Sequence, residues 1–242
     1  MIQETRYRTK QPFRTRGHAD LVLRVGGVFA DIDERLLRQP VVRLLELGCG
    51  YGTTLLELRQ RYGPRVELYG INRRQRDGDA DAMLRNGTER GLIAPGVAPA
   101  DPLPAITYVD VADGLPFADG RFDIVYSQVA WLYFGNKVAV LREVSRVLRD
   151  EGLAKIDADE LRHDLPPEYG RLVEIWQEGR LVPFGDYLRP FGMAFVPAAQ
   201  GEYLRFGKSP RFGEDLVQIF QVELGEICAH WSGIKCVYRL PP

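Results

Sequence analysis

The stretch Val42-Arg43-Leu44-Leu45-Glu46-Leu47-Gly48-Cys49-Gly50-Tyr51-Gly52-Thr53-Thr54 decides how this chain reads. Its first residues form an apolar run typical of a buried strand, three glycines then alternate with other residues, and TTLLELRQRYG continues as a helix. Alternate glycines let the backbone turn tightly and let a ligand approach where a Cβ would collide. They stand before a helix N-terminus, whose N–H groups lack intrahelical partners and attract polar or anionic groups. The pattern predicts a nucleotide-like ligand at the turn. Spacing narrows the choice. The dinucleotide fingerprint G-x-G-x-x-G requires glycine at 53, where Thr53 stands, and a P-loop requires Gly-Lys followed by Ser or Thr, which is absent.

Outward from this turn, short apolar runs alternate with helical patterns: VELYGIN (66–72), ITYV (106–109), FDIVYS (122–127), the amphipathic NKVAVLREVSRVLRD (136–150) and LAKIDA (153–158). Strands alternating with helices predict βαβ units. Runs that are apolar throughout predict parallel strands buried on both faces. The Pro-rich and Ala-rich stretch 94–105 bars both helix and central strand, so it reads as a surface connection. Upstream, residues 1–40 read as a basic stretch (Arg6, Arg8, Lys10, Arg14, Arg16) leading into an apolar-periodic helical arm from Ala19 to Leu37. Downstream, residues 159–201 read as a lid rich in Pro and aromatics, with Trp176, Phe184, Tyr187, Phe191 and Met193. Core packing explains those aromatics equally well. Residues 202–242 read as strands around a middle, 216–227, that fits a helix as well as a strand. The expected organisation is one domain over 1–242, with 41–158 as its cofactor-binding core.

The alternation E-x-G-x-G-x-G resembles the first motif of class I S-adenosylmethionine-dependent methyltransferases. Further pieces follow in that family's order: VELYGIN at the second strand, VDVADGLPF at the third, GRFDIVYSQ at the fourth, and LREVSRVLRDEG before the fifth. The nearest flavour is the group of ubiquinone- and menaquinone-biosynthesis enzymes acting on small molecules. The resemblance implies an α/β fold: a Rossmann-like, doubly wound, seven-stranded mixed sheet with helices on both faces, and S-adenosyl-L-methionine as cofactor. It also implies site residues. Glu46, Gly48, Cys49 and Gly50 would meet the methionine end, and Asn72 the ribose hydroxyls. Asp110 would meet the adenine amino group and the Val111 N–H a ring nitrogen, with Ser127 and Gln128 along the methionyl side. Asn72 departs from the acid usual in the family and exchanges a charge-assisted bond for a neutral one, weaker by about half. Leu132 and Tyr133 stand where many relatives carry paired histidines, and Asp150-Glu151-Gly152 replaces a Pro-Gly-Gly turn.

A sulfonium methyl is already activated, so no dedicated catalytic group is obligatory. For a hydroxyl acceptor the candidate general bases are Tyr133 and His163. A pocket wall is the plainer reading of Tyr133, between Leu132 and Phe134, and a loop position that of His163.

Composition limits the partners. In 242 residues, Lys+Arg 32 against Asp+Glu 33 leave a net charge of −1, so no global field draws a polyanion and a nucleic-acid partner is not expected. A small, apolar or aromatic metabolite is the expected substrate, and a homodimer stays open. No apolar run approaches the ~20 residues a membrane span needs. Three cysteines, an odd number without a secretory signal, fit reduced thiols in a cytoplasm. No metal site is expected: Asp77, Asp79 and Asp81 lack the rest of a calcium loop, and Cys228, His230 and Cys236 lack zinc-finger spacing. Two rival readings remain. One is an NADP-linked oxidoreductase, with Arg73 and Arg74 on the 2′-phosphate. The other is a protein that binds the methyl donor without transferring the methyl, as a cyclase or partner subunit.

Overall fold

The computed structural model describes residues 16–96, 99, 101–131, 134, 137–158, 174–177, 180–212 and 220–221. The apolar run at 42–47 is strand β1 (Val42–Leu47), and the helix after the glycines is α3 (Thr53–Tyr62). The chain continues through β2 (Val66–Asn72), α4 (Ala80–Glu89), β3 (Ala105–Tyr108), β4 (Phe122–Ser127), α5 (Lys137–Val147) and β5 (Leu148–Asp157). Ahead of them lie α1 (His18–Val25) and α2 (Phe29–Leu36). After them come β6 (Glu174–Gln177), β7 (Arg180–Pro183), α6 (Phe184–Leu188), β8 (Ala194–Pro197), β9 (Glu202–Phe206) and β10 (Phe220–Gln221).

The main sheet has seven strands in the order β3-β2-β1-β4-β5-β9-β8. The first five are parallel, and β9 runs antiparallel between β5 and β8. The doubly wound, mixed sheet implied by the resemblance is therefore present. Its two faces carry two apolar clusters. One holds Leu21, Val25, Val28 and Ile32 of the arm, Leu55 and Leu58 of α3, and Met83 of α4. The other holds Val140, Leu141, Val144 and Val147 of α5 with Phe184, Tyr187 and Leu188 of α6. The α-helices before β4 thus cover one face and those after it the other, so the winding reverses between β1 and β4.

Helix ends follow from local chemistry. Asp79 caps α4, its Oδ1 accepting the Ala82 N–H at 2.8 Å, which is the role of a helix start and not of a calcium loop. Gly26 ends α1 in left-handed backbone, with φ 72°.

The downstream elements divide residues 159–201 differently from the expected lid. Ala194–Pro197 is the edge strand of the main sheet, hairpinned to β9. Phe184, Tyr187 and Met193 are buried in the α5-side core, and Phe184 stacks on Trp131 with ring centroids 6.2 Å apart. Core packing accounts for these side chains. A four-residue strand ending in Pro197 carries too little alternation to be read from sequence. β6, β7 and β10 form a separate antiparallel sheet, so Phe220–Gln221, in the ambiguous middle, is strand. Asp150-Glu151-Gly152 lies within β5, where the pairing with β4 jumps from Phe122↔Leu148 to Ile124↔Leu153, so a looped-out segment replaces a simple turn.

Candidate active site

The carboxyl ends of β1, β2, β3 and β4 meet because their registers align: Leu47 lies opposite Ile71 and Ser127, and Asn72 opposite Tyr108. The chain leaving β1 folds at once over β2, with the Gly48 and Cys49 N–H groups both donating to the Ile71 carbonyl at 2.8 and 3.0 Å. Gly48, Gly50 and Gly52 all have positive φ, at 74°, 55° and 67°. A Cβ on Gly48 would lie 2.4 Å from Ala130 Cβ, and one on Gly52 2.2 Å from Met83 Cε. Each of those two glycines is thus required twice, by its conformation and by what packs on it. Asn86 of α4 braces the far side, donating to Thr53 Oγ1 at 2.8 Å.

Cys49 packs over β2, where a Cβ on Gly70 would lie 2.6 Å from its Sγ. Burial, and then the nearby Glu46, push its thiol well above the ordinary range. The thiol is a packed side chain, and burial disfavours the thiolate form that nucleophilic chemistry needs.

Glu46 is buried on the face covered by the arm. Tyr126, its register neighbour on β4, donates its hydroxyl hydrogen to Glu46 Oε2 at 2.9 Å. Burial raises the Glu46 carboxyl to about 8, with Glu57 adding to the effect against the Tyr126 bond. Glu57 itself accepts the His18 N–H and fixes the start of α1 against α3.

On the other side of the glycine loop, the Asn72 amide makes three bonds to backbone and also meets the Cys49 thiol. Its Oδ1 accepts the Gly50 N–H at 2.9 Å, and its Nδ2 donates to Gly50 O at 2.9 Å and Gly78 O at 2.8 Å. Asp110 begins a one-turn 3-10 helix, Val111–Asp113, accepting the Ala112 N–H at 3.2 Å. Arg73, the residue after Asn72, places its Nε 3.0 Å from Asp110 Oδ2. Val111 is buried at the first position of this turn, where helix geometry leaves amide hydrogens unsatisfied.

At the end of β4, Ser127 donates to the Leu47 carbonyl at 3.0 Å and ties the two strand ends together. Gln128 follows, 7% exposed, and its Nε2 is one of two buried side-chain polar atoms among the described residues without a partner. A buried amide donor left unmet costs about 1–3 kcal/mol, so this Nε2 is available to a ligand group or an ordered water. Val129 then adopts φ 55°, the one positive value among the described non-glycine residues. Its N–H is held by Asp157 Oδ2 at 2.9 Å, and the same oxygen accepts from Arg24 of α1 at 3.1 Å.

Glu46, Gly48, Cys49, Gly50, Asn72, Asp110, Val111, Ser127 and Gln128 therefore all lie at or just beyond the carboxyl ends of β1, β2, β3 and β4. Tyr133 and His163 lie outside the described residues, as do Cys228, His230 and Cys236. Sequence reading passed over Tyr126, Asp157 and Arg24. A tyrosine in FDIVYS and an aspartate in LAKIDA were the available signals, being polar groups within otherwise apolar strands. No group of metal-ligating side chains occurs among the described residues, and no described helix is long and apolar enough to cross a membrane.

An open parallel sheet whose glycine loop stands beside the reversal of winding, closed by an antiparallel β9, defines the fold of class I S-adenosylmethionine-dependent methyltransferases. A family model described as "Methyltransferase domain" matches residues 45–156. The chain is similar to the sarcosine/dimethylglycine N-methyltransferase of Halorhodospira halochloris, 32% identical over 126 residues that cover 52% of this chain and 40% of that protein. It is also similar to the malonyl-[acyl-carrier protein] O-methyltransferase of Laribacter hongkongensis, 33% identical over 120 residues covering 49% of this chain and 37% of that protein. The chain thus spans less than half the length of these relatives. Among solved structures, a SAM-dependent methyltransferase from Aquifex aeolicus aligns over 76% of this chain and 91% of its own, with 16% identity and a TM-score of 0.46.

Proposed function

We propose that the protein transfers a methyl group from S-adenosyl-L-methionine to a small organic acceptor held at the carboxyl ends of β1, β2 and β4. The observation that carries this reading is the glycine loop, with Gly48, Gly50 and Gly52 all in left-handed backbone beside the reversal between β1 and β4. Open α/β sheets bind their ligands at that point. The family match over residues 45–156 supports it. The two relatives are named for nitrogen and oxygen acceptors, so they leave the acceptor atom open. The near-zero net charge fits a small, apolar or aromatic acceptor better than a polyanion.

The residues present suit the methyl donor: a loop with three alternate glycines, a buried carboxyl on Glu46, and an unpartnered amide on Gln128. When bound, S-adenosyl-L-methionine supplies a methyl already activated for attack. The chain's own contribution is to orient and to exclude water. Orientation in well-placed pairs is worth ~7–11 kcal/mol. Glu46 and Gln128 hold the methionine end, and Asp110 with the Val111 N–H holds the adenine edge. Ser127 works through backbone by fixing the end of β4 to β1. Tyr133 and His163 are the candidates to accept a proton from a hydroxyl acceptor.

Calorimetry with S-adenosylhomocysteine and NADPH tests the reading. Binding of the former with no response to the latter is expected, and the reverse would overturn it. Arg73, which an NADP-linked enzyme would turn towards a 2′-phosphate, is already paired with Asp110. Incubation with S-adenosyl-L-methionine and a panel of ring-bearing acceptors should then add one methylene unit of mass and release S-adenosylhomocysteine.

A further inference from the structure

Asn72 occupies the place where the resemblance implies a ribose-binding acid, yet its side chain is 2% exposed and points into protein backbone. A primary amide has two hydrogens to donate and one oxygen to accept with. Here both hydrogens are engaged, one on Gly50 O and one on Gly78 O, while the oxygen holds the Gly50 N–H. Three bonds thus join three segments: the end of β2, the glycine loop, and the 75–78 turn leading to α4. The approach is close, since a Cβ on Gly78 would lie 2.0 Å from Gly50 O.

We infer that Asn72 is a positioning residue that clamps the glycine loop to the 75–78 turn, and that its neutral amide is a requirement of this loop and not a weakened ribose ligand. The inference rests on the reading that the methyl donor binds in this crevice. A carboxylate at 72 could still accept the Gly50 N–H, but its second oxygen would face the Gly50 and Gly78 carbonyls, acceptor against acceptor, in a buried space. Such a group loses two hydrogen bonds and gains repulsion. The acid that would serve the ribose in a relative is therefore incompatible with the backbone that this chain builds around Gly50.

The two roles predict opposite results for Asn72→Asp. A ribose ligand would improve, with affinity for S-adenosylhomocysteine equal or tighter and the ligand-free melting temperature unchanged. A clamp would fail. The ligand-free melting temperature should drop by about 5 °C or more, and affinity, measured well below melting, should fall about tenfold. Ser145→Ala serves as the control for general destabilisation, because among the described residues the Ser145 hydroxyl bonds to Ser209, on the α5 side of the sheet. It should lower the melting temperature and leave affinity unchanged. If the Asp variant does not fold, Asn72→Ala carries the same comparison, since a clamp predicts a lower ligand-free melting temperature and a ribose ligand predicts weaker binding alone. Unchanged ligand-free melting in both variants would overturn the clamp. Should the unaltered protein not bind S-adenosylhomocysteine, the proposed function fails, while the melting measurements still decide the clamp.

Discussion

Tyr126 and Glu46 lie opposite each other on adjacent parallel strands, and the tyrosine hydroxyl donates to the carboxyl at 2.9 Å inside the protein. Burial raises the carboxyl from its ordinary 4.5 to about 8. Between those two values the folded chain keeps a proton that the unfolded chain has released, so stability falls as pH rises through this window. Glu46→Gln should flatten the decline of melting temperature between about pH 5 and pH 8. A variant with the same slope as the parent would show that Glu46 does not carry the proton. If the cationic end of the methyl donor approaches Glu46, binding at neutral pH should also release a proton, visible as a calorimetric heat that changes with buffer.

His18 works with the opposite sign. Its Nε2 accepts the Val28 N–H at 3.3 Å, and its ring stacks on Phe29. Burial, then Arg61 and Lys155, lower it from 6.5 to about 4. The folded chain resists a proton that the unfolded chain takes up, so this contribution is lost as pH falls from 6.5 towards 4. Amide protection factors in α1 and α2, corrected for the slower intrinsic exchange at lower pH, should fall at about pH 5 relative to pH 7, and more than in α5. A uniform fall across all helices would count against a local cause.

Gly48 and Gly52 separate conformational strain from collision. Either residue as alanine pays about 1–2 kcal/mol for left-handed backbone. At 52 the clash is with the flexible end of Met83, whereas at 48 it is with Ala130 Cβ, which cannot swing away. Gly48→Ala should therefore lose a further 1–3 kcal/mol, roughly the cost of overpacking, in urea unfolding. Equal losses at both positions would mean that the two loops part freely.

Asp110 tests the adenine edge. Asp110→Ala removes the acceptor of the Ala112 N–H and the partner of Arg73. Affinity for S-adenosylhomocysteine should fall by about 1–3 kcal/mol, roughly five- to 150-fold. Unchanged affinity would remove Asp110 from the site.

Strands β1, β2, β4 and β5 and the glycine turn were legible because their signals are local: apolar runs, glycine alternation, a helix pattern directly after. Asn72 was placed correctly at the end of β2, but its role depends on Gly78 folding back over Gly50, a tertiary return that no spacing announces. The Tyr126–Glu46 bond depends on register between strands eighty residues apart in sequence. Lys155 stands in the same way within LAKIDA, and its partner Asp31 sits on the arm. Strand β8 was missed because four residues ending in proline look like the loops around them.

The contact between Gly48 and Ala130 sets a fixed aperture. Where the sheet changes its winding, two walls of the crevice close until a single methyl group separates them. A side chain at 48 would have to push Ala130, and with it the residues that follow β4, away from the glycine turn. This junction between the end of β1 and the end of β4 is thus a poor place to introduce larger side chains by design.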